Sequence, residues 1–307
     1  MIEQLNATEL RIAQETAIGS GETAGNWWRP RSTMALASRS LALVASRSDL
    51  WRQPSERVII GDSWTLKTTH QVGLDWLAWL LRAHANERLG NVWTLDPEAE
   101  GPTYVVETEM QDGGRATFGG LKLQELRIFW EESRVIRLDC QWSGLWRSTP
   151  ESALPAYDIE PVDAVAPTSG GAFSASTSAF VTGPPRLLGK VQAHAFQVFL
   201  SRAVEAADFG PDGVASTHTR RAWQVVGEVV MPWHTIAETA ISGQWSGQFA
   251  IWFGAGNDRL VVGSVEAHVV DQDLQAYDFR QAQLLFQAHT DTRRSLLDFY
   301  SYTDPEG

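Results

Sequence analysis

The sequence holds a single cysteine, Cys140, among 307 residues. One thiol excludes an internal disulfide and a cysteine-built metal site, and its strand-like surroundings predict a buried position. No apolar run approaches the roughly 18 residues that a membrane-crossing helix needs. The first ten residues carry Glu3 and Glu9 and lack the basic start and apolar stretch of a secretion signal, so the protein is expected to stay where it is made. Basic residues are scarce as well: 25 Lys and Arg stand against 37 Asp and Glu, a formal net charge of −12. Such a surface repels phosphate and argues against a sequence-specific reader of nucleic acid.

Catalytic signatures are missing too. There is no Gly-x-Ser-x-Gly elbow, and Gly189-Lys190 runs into Val191 without the upstream glycine of a phosphate-binding loop. The glycine-bearing stretch 19–25 is read as a flexible loop that follows no strand, which excludes a dinucleotide fingerprint. Seven histidines are scattered. His84 with Glu87, and His234 with Glu238, have helical spacing but no third ligand nearby. The acids Glu131-Glu132 and Asp271-Gln272-Asp273 fall at predicted strand ends, where acids are common turn residues. These readings predict a protein that is not an enzyme and uses no cofactor or metal.

What the chain does have is globular material. Hydrophobic residues make up 43% and charged residues 20%, enough apolar content for a packed core. Tryptophan is abundant, at 14. Tryptophan suits cores, interfaces and sugar-binding surfaces, so a Trp-rich β-sandwich that binds or cleaves carbohydrate is the alternative reading.

Residues 1–50 are rich in Ala, Ser, Thr, Gly and Arg, show little periodicity and are expected to form an extended arm. Its adjacent Trp27 and Trp28 must pack over the body or reach another subunit. Strands are expected from Arg57 onward, with a bend or bulge at Gly61. Residues 74–81 form the best predicted helix, with Trp76, Leu77, Leu80 and Leu81 on one face. Period two then takes over. Ile136, Leu138, Cys140 and Trp142 point one way, and Arg137, Asp139 and Gln141 the other, as in a half-buried antiparallel sheet. Residues 51–145 are therefore read as a first β domain, and the Pro/Gly/Ser-rich stretch 146–185 as a long connection.

Residues 186–307 return to similar material and are read as a second β domain. Residues 191–200, placed beneath 121–130, match in their apolar positions. The strand around Gly227 is like the bent strand around Gly61, and a weaker helical stretch follows at 235–241. Further strands are expected at 248–252, 260–270 and 281–289. In the last, Gln281, Gln283 and Gln287 alternate with Ala282, Leu284, Phe286 and Ala288. The predicted fold class is an all-β sandwich or barrel with a flanking α-helix, duplicated.

The layout resembles the tail tube proteins of long-tailed bacteriophages. The likeness is carried by Gln14-Glu15-Thr16-Ala17-Ile18-Gly19, the glycine-bent strand Val58-Ile59-Ile60-Gly61-Asp62-Ser63-Trp64, the helix at 74–81 and the glycine-led hairpin Gly119-Gly120-Leu121-Lys122-Leu123. The order strand, glycine, helix, hairpin then recurs in the second half. The resemblance implies a structural virion protein made in the host cytoplasm. Its sheets would join around a stacked ring and line a channel that passes DNA without gripping it. Duplicated subunits would close such a ring as a trimer, single-domain subunits as a hexamer. Implied partners are other copies of itself, the tape measure and the tail terminator, with no membrane. On this resemblance Trp27, Trp28 and Arg29 are expected at a contact between subunits. Arg137, Asp139, Gln141, Gln281, Gln283 and Gln287 are expected to face a polar, net-negative channel.

Overall fold

A computed structural model describes residues 2–5, 7–23, 27–28, 31–45, 57–71, 74–110, 114–131, 137–148, 177–181, 189–191, 195–209, 215–232, 246–252, 259–271, 281–290 and 295–300. The first half runs β1 (Ile2–Leu5), β2 (Ala7–Gln14), β3 (Arg31–Ala45), β4 (Arg57–Gln71), α1 (Leu74–His84), β5 (Asn86–Leu89), β6 (Val92–Leu95), β7 (Tyr104–Met110), β8 (Arg115–Glu131), β9 (Arg137–Gly144) and β10 (Trp146–Ser148). The second runs β11 (Thr177–Val181), β12 (Gly189–Val191), β13 (Ala195–Ser201), β14 (Val204–Phe209), β15 (Ala215–Arg220), β16 (Gln224–Pro232), β17 (Ser246–Trp252), β18 (Arg259–Asp271), β19 (Gln281–His289) and β20 (Leu297–Tyr300). Among the described residues the fold is all-β, in antiparallel sheets, with one short helix.

In the first half β3, β4, β9 and the C-terminal part of β8 form one layer, in that order. β2, β7, the N-terminal part of β8 and β10 form the other. β8 serves both because it is 17 residues long and changes layer midway. Gly120 (φ 60°) adopts there a conformation that a side chain disfavours. A register shift between Leu123 and Glu125 marks a bulge just beyond it.

The second half repeats this wiring. One layer is β13, β16, β19 and β18; the other is β11, β17, the start of β18 and β20. Thus β2, β3, β4, β7, β8, β9 and β10 correspond to β11, β13, β16, β17, β18, β19 and β20, in the same chain order. The halves are joined edge to edge, by β8 with β13 and by β6 with β20.

The core follows from the alternation. In β9 Leu138, Cys140 and Trp142 are buried while Arg137, Asp139 and Gln141 are half-buried, the period of a strand with one wet face. Trp142 is 0% exposed, and its indole N–H donates to Thr68 Oγ1 at 3.1 Å. α1 runs three residues past its expected end and buries Leu77, Leu80 and Leu81 in the same core; the Trp76 side chain lies outside the described residues.

Several expectations change. The described residues among 1–50 do not form an arm: β1, β2 and β3 lie inside the sheets, and Leu10, Ile12, Ala35 and Ala37 are core residues. The body therefore starts well before Arg57. β13 is not the counterpart of β8 but its hydrogen-bonded neighbour. Two strands packed on one core carry the same apolar alternation whether or not they are equivalent. The connection expected at 146–185 contains β10 and β11, with residues 149–176 outside the described set, as is the helical stretch 235–241.

Nor is the glycine-bearing loop loose. It follows β2, and the Glu15 carboxylate accepts the backbone N–H groups of Gly19 (3.0 Å), Gly21 (3.1 Å) and Gly120 (2.9 Å). Gly19 and Gly21 hold φ near 70°, and the Gly19 carbonyl accepts the Trp146 indole N–H at 2.8 Å. One acid thus ties the loop to the crossing point of β8. Glu15→Ala leaves three donors without their carboxylate and should cost about 2–4 kcal/mol. Urea unfolding should show the loss as a lower midpoint, with Glu15→Gln falling between the two.

Candidate functional site

A broad assembly of polar side chains lies on one face of the sheet that runs β4, β9, β8, β13, β16 and β19. Its register places side chains from both halves in rows. One row crosses Thr69, Asp139, Arg127, Phe199, Val226 and Gln287. The next crosses Arg137, Phe129, Gln197, Glu228 and Leu285. Opposed residues in an antiparallel sheet share a face. The first-half trio Arg137, Asp139 and Gln141 and the second-half residues Gln283 and Gln287 therefore lie on the same face of one sheet. Gln281 continues β19 opposite Pro232, with its side chain outside the described residues.

Neighbouring groups on this face engage one another. Arg137 pairs with Asp139 at 3.5 Å and lies 4.8 Å from the Phe129 ring centroid. Gln141 donates to Gln124 (3.0 Å), Gln283 donates to Glu228 (3.0 Å), and Arg127 donates to Gln197. Lys67, Arg127 and Arg137 stand against Glu125, Asp139 and Glu228, so these charges offset one another. A shallow apolar strip of Phe199, Val226 and Leu285 crosses the middle, and Val226 and Leu285 are each 37% exposed.

Trp27 and Trp28 are not at a free surface. They are 6% and 7% exposed; Trp28 bridges to Ile12 through the backbone and stacks near Trp79 at 5.3 Å between centroids. Their own subunit covers them, which removes the reason to place them at a contact between copies. Arg29 lies outside the described residues.

Beneath the face a buried junction holds the halves together. Arg202, directly after β13 and 4% exposed, donates through Nε to the Leu123 carbonyl (3.1 Å) and through Nη1 to those of Ala99 (2.8 Å) and Glu100 (3.1 Å). Its guanidinium lies 4.2 Å from the Trp223 ring centroid. The Trp223 backbone N–H reaches the Pro97 carbonyl at 2.8 Å, and its indole N–H the Ala99 carbonyl at 3.2 Å. Lys122 donates to the Gly101 carbonyl at 2.6 Å, and His218 to that of Gly120 at 2.7 Å. His84 hydrogen-bonds with the Tyr104 hydroxyl at 3.1 Å. Burial, then Arg202, push the Lys122 ammonium down to about 8.

Sequence reasoning missed this junction, since a lone Arg202 in an irregular connection carries no periodic signal. Gln197 and Phe199, by contrast, alternate with Phe196 and Val198 and were open to the same period-two reading as β9. Among the described residues no group of three or more His, Cys, Asp or Glu could hold a metal ion. No family model matches the chain, and no curated protein matches it. What the arrangement offers is an extended wall with one polar face.

Arg202→Ala removes three hydrogen bonds, leaving the Leu123 and Glu100 carbonyls without this donor and that of Ala99 with the Trp223 indole alone, and should lower stability by about 3 kcal/mol, read as a drop in Tm. A second expectation concerns pH. Burial holds His70 down to about 3; burial, then Arg202 and Lys122, hold His84 well below the ordinary imidazole range. Both stay neutral in the fold and take up a proton on unfolding below about pH 6.5. The unfolded state then binds more protons, so stability falls as pH drops from about 6.5 to 4, by up to about 1.4 kcal/mol per pH unit for each histidine. Denaturation curves across that window should show the fall, and His84→Gln should make it shallower.

Proposed function

We propose that this chain is a structural subunit of a phage tail tube, a virion protein that closes into rings stacked around the path of the DNA. The observation that carries this reading is the join between the halves. Two units of the same wiring meet edge to edge through β8 and β13 and so make one continuous wall with one polar face. A head-to-tail joint of this kind, repeated from chain to chain, closes a ring when the rotation permits.

On this reading the polar face turns to the lumen. Its amides and offset charges give DNA no continuous cationic track to hold. The duplicated chain would close as a trimer with six domains around the channel and stack on further rings. Tape measure and tail terminator are the other partners that the resemblance implies. No cofactor and no catalytic step belong to this role.

Electron microscopy of concentrated protein should show rings or tubes with a channel wide enough for duplex DNA. Monodisperse monomers under varied salt and with seeding would count against the tube. The direction of the face has its own test. Gln287 is exposed while Cys140 is buried, so Gln287→Cys supplies one reactive thiol. A bulky polymer-linked maleimide should modify it in free subunits but not inside assembled tubes. Full modification within tubes would put the face outside.

A further inference from the structure

The seam between the halves gathers buried positive charge. Four successive carbonyls of the connection between β6 and β7 each accept from a cation: Glu98 from Arg220 (3.1 Å), Ala99 from Arg202 (2.8 Å), Glu100 from Arg202 (3.1 Å) and Gly101 from Lys122 (2.6 Å). Lys122 and Arg202 are each 4% exposed. They hold neighbouring carbonyls of one short segment, so their charged heads lie side by side. Among the described residues neither forms an ion pair. The acids of the same segment, Glu98 and Glu100, have side chains 80% and 69% exposed and pair with Arg220 at 4.0 and 3.8 Å.

Carbonyls supply hydrogen bonds but no net charge. A buried ionised group without a counter-charge is costly, and two adjacent ones repel. Burial, then Arg202, bring the Lys122 ammonium down to about 8, against the pull of the Glu100 carboxylate. Hydrogen-bonding capacity is left over as well. Lys122 gives one of its three protons to Gly101, and Arg202 Nη2 is buried without a hydrogen-bond partner among the described residues. His218 donates through Nε2 to Gly120, which leaves Nδ1 an acceptor while the ring is neutral. That nitrogen is buried and likewise without a hydrogen-bond partner among the described residues. Burial, then Lys122 and Arg202, lower the pKa of the ring against the Gly120 hydrogen bond. His84 and Tyr104 face the cluster from α1 and β7, bonded to each other.

We propose that Lys122 and Arg202 form a site for a small inorganic anion at this seam, with His218 as a third donor once protonated. Lys122 belongs to the first half, Arg202 and His218 to the second, so the anion is a ligand of the joint itself and does not depend on the tube reading. It offsets two buried charges and accepts from Nη2 and from the remaining protons of Lys122. It also favours the protonated His218 ring, so binding is coupled to proton uptake. Each of these effects stabilises the docked halves.

Thermal unfolding of the whole chain tests the site. Against sodium gluconate at equal ionic strength, low millimolar sodium sulfate or sodium chloride should raise Tm by about 2–4 °C and then level off. A specific site saturates, whereas general salt effects grow steadily with concentration. Whichever salt saturates first identifies the ion as an oxyanion or a halide. The shift should shrink from about pH 6 to about pH 9, as His218 and then Lys122 lose their protons. Lys122→Met keeps the apolar stem, removes the charge and should abolish the response. Equal Tm in all three salts would overturn the site, as would an undiminished shift at the higher pH or in Lys122→Met. Should Lys122→Met fail to fold, the salt series and its pH dependence on the wild type decide alone.

Discussion

A buried backbone N–H or C=O left without a partner costs as much as a lost hydrogen bond, and in β8 that constraint acts on both edges of a long strand. The early part of β8 is flanked by β7 and β10, the later part by β9 and β13. One strand thereby belongs to both layers of the first half and to the first layer of the second. With β13 docked, the orientation of the second half is set by hydrogen-bond register rather than by a flexible linker. Arg202 follows immediately and finds the Leu123, Ala99 and Glu100 carbonyls within reach. The buried charge is tolerable because three carbonyls and the Trp223 ring replace the water it has lost.

The same register decides what the wet face presents. A slip of one residue between β8 and β13 would turn Gln197 and Phe199 inward and expose Phe196 and Val198. Two features resist it. Arg202 anchors the end of β13, and Gly227 opposite its middle leaves no room for a side chain: a methyl there would collide with the Gln197 carbonyl and the Phe286 ring. Junction and face are therefore parts of one device. The buried polar contacts fix the register, and the register places amides and offset charges from two distant stretches of sequence in common rows.

Strands with large apolar residues at every second position were legible from the sequence, and strands built from small ones were not. β9, β17, β18 and β19 fall where alternation puts them, and α1 where helical spacing does. β3 was lost because its buried residues Ala35 and Ala37 are small and stand among serines, so burial left little mark on composition. The pair Trp27 and Trp28 was expected at a contact between subunits for the same reason: with no strand recognised around it, no core was evident to receive it. The bend at Gly61 was visible, and the structure has a register shift at Ala42 and Leu43 opposite it. The equivalence of β13 was misjudged because alternation reports which face is buried, not which strand lies beside which. The Glu15 clasp and the Arg202 junction bring together residues about a hundred positions apart, and no local pattern marks such meetings.

Duplication within one chain changes the kinetics of closing a wall. Where each unit is a separate molecule, every joint must form by encounter. Here the β8–β13 joint forms within a chain, where the tether raises the effective concentration of one edge for the other. On the tube reading, half of the joints in a ring are then complete before two molecules meet. The internal joint can be permanent and reinforced by buried groups that need never separate, as Arg202 and Trp223 are. The two outer edges differ: β3 pairs with β1, while among the described residues no second strand lies beside residues 267–271 of β18.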